Sequence, residues 1–553
     1  MSFPKSARIV LATALLGLLA GYWLWVWQRG AVLTAPDAQA RELPCVSYAP
    51  FRRSGHGPRA AAATREQVLE DLRQLRRIAP CVRTYGVDHG LEHVPGVARE
   101  VGLRVLLGAW LDRDPVASAR QVDTALALVR SHRDVIDGLI VGNEVLLRGE
   151  MTPEVLAGWL AQARRRSEVP VSYADVWEFW LRHAAMLQPQ VDVATVHILP
   201  YWEDHPVGAA QAADHVREVL QQVRGRLAGL PVFVGEVGWP ADGRQRGPAV
   251  PSAAAQSAIA RDLLGPDSRA AWAAPALRWP VFNWIEAFDQ PWKRELEGAM
   301  GGQWGVFDAQ GRQRLTLQGS TAAAPGHAQW PIAAASGALL ACVLAVLARV
   351  PVVGSAGWMR ASLWVSLPGL AVLGSALPLQ WHWLVAWCRS PAEWLAWGAF
   401  SVLCSALAWQ ALFGRHRHGG LGWRALQAGV IAASLYWTLQ LALDGRYRAL
   451  WQPLPWACAW VLAWVAVMRG HGARAPDDPI ANASVMSAML AGLGLIAALW
   501  VLVHEGAANT EAVWLMAMHG LWLLGCRSGY HGAGADANAD SSAGVRSFSR
   551  PSD

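Results

Sequence analysis

Apolar runs long enough to cross a bilayer stand only near the two ends of this chain, and they fence off a middle stretch of a different character. One run, Ile9 to Trp27, follows Lys5 and Arg8 and has about the 20 residues that span hydrocarbon. Seven more lie near 330–348, 361–387, 393–413, 425–443, 451–468, 484–503 and 512–525. The predicted organisation is therefore an N-terminal transmembrane anchor (1–30), a linker (31–43), a folded middle domain (44–319), a multi-span domain of about seven helices (330–525) and a disordered tail (526–553). The triplet Ala38-Gln39-Ala40 lies too far beyond the first run to read as its processing site, so that run is expected to stay as an anchor.

Charge supports this division. Residues 44–329 hold 31 basic and 31 acidic side chains, so the formal excess of +6 belongs to the flanks and is no sign of a nucleic-acid partner. With the N-terminus inside, Arg349, Arg360, Arg415, Arg417, Arg424, Arg469 and Arg474 fall in inner loops, while Arg389, Arg446 and Arg448 fall in outer ones. That bias fits the positive-inside rule and puts the middle domain outside the cytoplasm, at a bacterial inner membrane with the domain in the periplasm. Few ionisable residues fall within the apolar runs, so the bundle reads as an anchor or scaffold for the lipid bilayer before a conduit. Five of the seven cysteines lie in apolar stretches; Cys45 and Cys81 each precede a strand-like run, and both a bridge and two buried thiols fit them.

Between Pro44 and Gly319, strand-like runs alternate with amphipathic helical stretches at a spacing of about 33 residues. The predicted strands are Cys45–Ala49, Cys81–Tyr85, Leu103–Gly108, Leu139–Glu144, Val171–Ala174, Val193–Ile198, Val232–Glu236 and Val281–Glu286. Eight βα units predict an α/β fold, a (β/α)8 TIM barrel. A typical intervening helix, TREQVLEDLRQLRRI, sets Val68, Leu72, Leu75 and Ile78 on one face.

A barrel of this kind carries its chemistry at the C-terminal ends of its strands. Glu144 closes LIVGNE and Glu236 closes VFVGE, each placed where desolvation raises a carboxyl pKa unless a partner offsets it. Two carboxyls across a cleft are the machinery of glycoside cleavage. Asn143 offers an amide to a sugar hydroxyl, and Trp110, Trp202, Trp239 and Trp284, at or near strand ends, offer flat faces to sugar rings. Of 48 basic side chains only Lys5 and Lys293 are lysines, which marks Lys293 as a place where a compact ammonium matters. No metal or cofactor is expected.

On these residues the region 44–318 resembles family 17 glycoside hydrolases, retaining β-1,3-glucanases and β-glucan transglycosylases built on a (β/α)8 barrel. VGNE resembles the acid/base motif, implying Glu144 as proton donor with Asn143 beside it. GEVGWPADG resembles the nucleophile motif, implying Glu236, with Ala241 where the family usually has Ser or Thr. HILPYWE implies that Tyr201 approaches the nucleophile, and IEAFDQPWK with Glu297 resembles an acceptor-side cluster of Glu286, Lys293 and Glu297. SYAPFR, VRTYG with its Tyr85, and VGNEVLLR add a resemblance to proteobacterial membrane-bound β-(1,6)-glucan synthase-like proteins. The only Asp-x-Asp, Asp112 to Asp114, sits in a barrel loop, so synthesis from a nucleotide sugar would fall to a separate glycosyltransferase. The resemblance implies a β-glucan polysaccharide or oligosaccharide partner, acted on by hydrolysis or transfer. The rival expectation is a non-catalytic glucan-binding or export scaffold.

Overall fold

The structure, a computed structural model, describes residues 4–29, 32–33, 36–53, 57, 62–266, 268, 272, 279–322, 330–348, 356–413, 421–469 and 481–526. The expected inner-loop residues Arg349, Arg415, Arg417 and Arg474, and the tail from 527, lie outside the described residues.

Eight parallel strands close into a barrel in chain order: β1 (Val46–Ser47), β2 (Cys81–Arg83), β3 (Arg104–Ala109), β4 (Ile136–Asn143), β5 (Val171–Val176), β6 (Val193–His197), β7 (Val232–Val237) and β8 (Phe282–Trp284). Val46 of β1 pairs with Trp284 of β8 and completes the ring. All eight predicted strands are present. Tyr85, Glu144, Ile198 and Glu286 stand just past the ends of theirs, because the chain leaves the hydrogen-bonded ladder where it reaches the rim.

The outer helices follow from local chemistry. Arg65–Leu75 starts on a capping box between Thr64 and Gln67 and buries Val68, Leu72 and Leu75 against the sheet. Pro115–Ser131 is capped by the Asp114 side chain, which accepts from the backbone N–H groups of Val116 and Ala117; the lone Asp-x-Asp is thus partly a helix start.

Alternation along each strand sorts the barrel lumen into layers. At the N-terminal end Cys45, Cys81, Leu106, Ile140, Val193 and Phe233 form a small apolar cluster against Trp279. Cys45 and Cys81 are joined there by a disulfide, the outcome the sequence left open. Two residues further along the same strands stand Ser47, Arg83 and Thr195, and with them Asn283 and His197, all essentially inaccessible to solvent. The lumen therefore passes from apolar to polar toward the C-terminal rim.

The eight apolar runs correspond to helices Lys5–Gln28, Trp330–Ala348, Ala356–Trp387, Pro391–Phe413, Leu421–Asp444, Pro453–Arg469, Ala481–Glu505 and Thr510–Gly525. Among the described residues four segments are long and apolar enough to cross a membrane: Ser6–Gln28, Pro391–Phe413, Gly422–Asp444 and Val485–Glu505. Thr510–Gly525, at 16 residues, spans only about 24 Å, short of a hydrocarbon core of about 30 Å. The first helix is no isolated tether. Tyr22 stacks on Trp456 at 3.7 Å between ring centroids, and Trp460 donates to the Leu15 carbonyl at 2.9 Å, so this helix shares the bundle's core.

The bundle meets the barrel at its C-terminal rim. After β6, the Trp202 carbonyl accepts from Arg446 at 3.2 Å. After β7, Arg244 pairs with Glu505, and the Gln245 amide donates to the Ala508 carbonyl at 2.8 Å. After β8, Arg294 donates to the Ala386 carbonyl at 3.0 Å. Val32–Leu33, from the expected linker, pairs antiparallel with Thr321–Ala322 and ties the two ends of the barrel segment together.

Candidate active site

Glu144 and Glu236 come together at the rim. The relevant carboxylate oxygens of the two and a ring nitrogen of His197 all lie within 4.8 Å of one another. Glu144 follows β4 at φ 53°, a backbone conformation that a residue with a Cβ seldom adopts. Glu236 lies within β7 with its side chain 5% exposed, whereas that of Glu144 is 24% exposed. One carboxylate is enclosed and the other opens on the cleft.

The enclosed one is held by fixed donors. Arg83 of β2 reaches Glu236 Oε1 at 3.2 Å, the Gly235 carbonyl at 2.6 Å and Asn143 Oδ1 at 2.6 Å. A side chain at 235 would meet Thr195 Cγ2 at 2.2 Å, so only glycine permits that close packing. The Tyr85 hydroxyl donates to Glu236 Oε1 at 2.9 Å and lies 3.0 Å from Ser47 Oγ. Burial, then the neighbouring Glu236 charge, drives the Tyr85 hydroxyl far above its ordinary pKa and keeps it a donor.

Glu144 is set by His197. Nδ1 of His197 lies 2.8 Å from Glu144 Oε1, while Nε2 faces the Arg83 guanidinium at 3.4 Å. A guanidinium only donates, so Nε2 presents its lone pair and Nδ1 carries the proton given to Glu144. Burial raises the Glu144 carboxyl, but the His197 hydrogen bond, together with the charges of Arg148 and Arg83, outweighs it and holds the group below its ordinary pKa. Of the two outcomes the sequence allowed at this strand end, desolvation or an offsetting partner, the partner wins at Glu144.

A second acidic group lies alongside. Lys293 Nζ donates to Glu286 Oε2 at 2.8 Å, and the other Glu286 oxygen is buried without a hydrogen-bond partner among the described residues. Burial raises the Glu286 carboxyl, and Lys293 opposes that rise. Burial disfavours the Lys293 ammonium, but the Glu286 and Glu297 carboxylates more than offset it and hold the lysine protonated. Glu297 is pushed up to about 7 by burial against the pull of Lys293, with Glu286, Glu144 and Glu236 adding to the rise.

The remaining expected residues divide. Asn143 sits between Arg83 and Glu144, as a positioning amide would. Trp110 is partly exposed with the Arg148 guanidinium 4.2 Å from its ring centroid, and Trp202, also partly exposed, lies parallel to Trp304 at 6.4 Å. Trp239 and Trp284 are fully buried, and the Trp239 N–H donates to the Val250 carbonyl, so the expected platforms there are core packing instead. The Tyr201 hydroxyl donates to the Arg244 carbonyl at 2.7 Å; the tyrosine against Glu236 is Tyr85, not Tyr201. Arg83 and His197 escaped the sequence reading. Their signal was a lone ionisable residue inside an apolar strand, CVRTY and ATVHI, which burial makes costly without a partner.

Glu144, His197 and Glu236 are spaced closely enough to share a metal ion. Arg83, however, already directs donors at Glu236 Oε1 and at the His197 lone pair, the atoms an ion would use. A fixed organic cation fills that role, and the donor set suits a hydrogen-bonded carboxylate pair.

The BtgE/BtgC glycoside hydrolase domain family matches residues 45–305. A probable β-glucosidase btgE of Aspergillus fumigatus is 25% identical over 273 residues, covering 48% of this chain and 45% of that protein. A glucan 1,3-β-glucosidase of Candida albicans is 26% identical over 262 residues, covering 43% of this chain and 82% of that one. The chain spans less than half the length of the Aspergillus relatives it matches. A family 17 β-1,3-glucanosyltransferase of Rhizomucor miehei superposes with a TM-score of 0.43 at 25% identity, covering 50% of this chain and 97% of that one. Barrel, paired carboxylates and family match together make residues 45–305 a glycoside hydrolase domain.

Proposed function

We propose that this protein is a membrane-held retaining β-glucan glycosidase that cuts or transfers β-1,3-glucan outside the cytoplasm of a bacterium. The observation that carries the mechanism is the separation of Glu144 and Glu236, with carboxylate oxygens within 4.8 Å. Carboxyl groups about 5–5.5 Å apart leave no room for an intervening water and act by double displacement. The names of the Candida and Rhizomucor relatives, both glucan-active, support the substrate.

Glu236 is the nucleophile: Arg83 and Tyr85 both donate to its Oε1 and keep it aimed. Its oxygen bonds to the anomeric carbon as the glycosidic C–O bond breaks, and Glu144 gives its proton to the departing oxygen. Water or a glucan hydroxyl then attacks the anomeric carbon, Glu144 takes the proton, and Glu236 leaves. Because His197 favours the Glu144 carboxylate in the empty cleft, proton loading goes with substrate, which removes water from the more exposed acid. Asn143, Trp110, Trp202, Glu286, Lys293 and Glu297 bind the sugar. Lys293 holds two carboxylates in place as acceptors for hydroxyls on the side where an incoming glucan would lie.

The apolar helices and the arginine bias of their loops support a multi-pass inner-membrane protein with a periplasmic barrel, and a separate glycosyltransferase would supply its polymer. The test is incubation of the full chain in detergent with laminari-oligosaccharides, followed by product sizing. Shorter products mean hydrolysis, longer ones transfer, and unchanged substrate under conditions where the protein is folded overturns the enzyme in favour of a binding scaffold.

A further inference from the structure

Where the bundle touches the barrel rim, the ends of three of its helices and the segment that follows the third surround a cavity lined by Trp383, Trp387, Trp397, Trp437 and Tyr447, with Arg389, Glu393, Arg448 and Gln452 between them. It holds about 340 Å³ of atom-free space, part of it open to solvent. Such a surface is not what a helix end needs in order to pack. The indole N–H groups of Trp383 and Trp387, Nε of Arg448, and both polar atoms of the Gln452 amide are buried there without a hydrogen-bond partner among the described residues. Burying polar atoms unsatisfied costs about 1–3 kcal/mol each, so five in one cavity point to a polar occupant.

The charges say which kind. Arg389 lies 3.2 Å from Glu393, and Arg448 lies 3.7 Å from Asp444, so each cation has an acid of its own. Paired charges around aromatic faces suit neutral hydroxyls and C–H surfaces better than a phosphate, which needs free cations.

The cavity also borders the barrel rim. Tyr447 lines it on one side and meets the Trp202 ring edge-on at 5.8 Å on the other, and Trp202 continues to Trp304. Next to Glu297, Gly298 at φ 80° is pressed so closely on the loop that a Cβ there would meet the Tyr447 carbonyl at 2.3 Å. The geometry points to a second sugar-binding site in the membrane bundle: a glucosyl ring of the chain seated in the barrel rests at the Tyr447 mouth, beside Trp202, with its hydroxyls reaching the orphaned atoms directly or through water. This rests on the reading of the barrel as glucan-binding, and it makes the bundle part of the substrate path.

The experiment uses the full chain in lipid nanodiscs with Glu236→Gln to stop turnover, and measures binding of laminari-oligosaccharides of three and seven glucose units by calorimetry. The longer one is expected to bind at least about tenfold tighter, a difference of about 1.4 kcal/mol. Tyr447→Ala and Gln452→Leu should each bring that ratio close to one. Gln452→Leu should do so with an unchanged or raised thermal midpoint, since it removes unsatisfied polar atoms. An unaltered ratio in both variants, or no preference for the longer sugar in the parent, overturns the site. Turnover by the protein with Glu236 intact is scored separately: its absence would strike the catalytic reading, while the binding ratio still decides this one.

Discussion

Two carboxylate groups share the cleft, and they are built in opposite ways. Glu144 and Glu236 are set by residues from distant points of the chain, with Arg83 on β2, Asn143 on β4 and His197 on β6. Glu286, Lys293 and Glu297 come from one short segment after β8, and a single ammonium balances them. The first arrangement needs a closed barrel before it exists at all; the second needs only a turn and a lysine. A planar guanidinium with several donors fixes angles, whereas an ammonium on a flexible stem fixes charge alone. Under the proposed function, chemistry that must align atoms has the rigid cation, and binding that must tolerate many hydroxyl positions has the adaptable one.

The comparison breaks first at the nucleophile. Glu236→Gln is expected to lower kcat by at least about a thousandfold with the fold intact by circular dichroism, and small external nucleophiles acting on Glu236→Ala should give product of inverted configuration. Exchanging the cations sharpens the contrast. Arg83→Lys keeps the charge but loses the fork that holds Glu236, Gly235 and Asn143 together, and kcat should fall about a hundredfold. Lys293→Arg should cost about tenfold, seen mainly in KM for the acceptor sugar. Equal losses in the two exchanges would erase the distinction. The smallest effect is a displacement in pH. His197 holds the Glu144 carboxyl below its ordinary pKa, and the acid works only while protonated, so its loss sets the alkaline limb of the activity profile. His197→Asn removes the ring and the hydrogen bond it gives Glu144; the Glu144 pKa rises, and that limb should move to higher pH. A limb that stays or moves down would assign the proton elsewhere.

The same contrast explains what could be seen in the sequence. Short strand-like runs at regular spacing made the eight strands legible, and a glutamate closing an apolar run made each catalytic candidate legible, because both signals are local. Tyr85 and Tyr201 illustrate the opposite case. Each stands close after a strand, yet only the closed barrel decides that the Tyr85 hydroxyl meets Glu236 while that of Tyr201 turns to the Arg244 carbonyl. Trp239 follows a strand as Trp110 does, but its ring is packed inward and its N–H is satisfied by the Val250 carbonyl. Strand ends locate a rim; they do not say which way a side chain leaves it. The bundle's use of the first helix was equally hidden, since apolar length reports that a helix spans and not what it packs against.

Three neighbouring loops of the rim, those after β6, β7 and β8, rest on helix ends, so the open mouth of the barrel is roofed along that side. A broad, rigid surface such as a sheet of cross-linked wall cannot be laid across a mouth with a roof. Under the proposed function, a single flexible strand would enter sideways, away from these three contacts. Under the proposed function, attachment to the helices would thereby act as a sieve on the shape of what is processed, turning the protein toward loose chains and away from material already assembled.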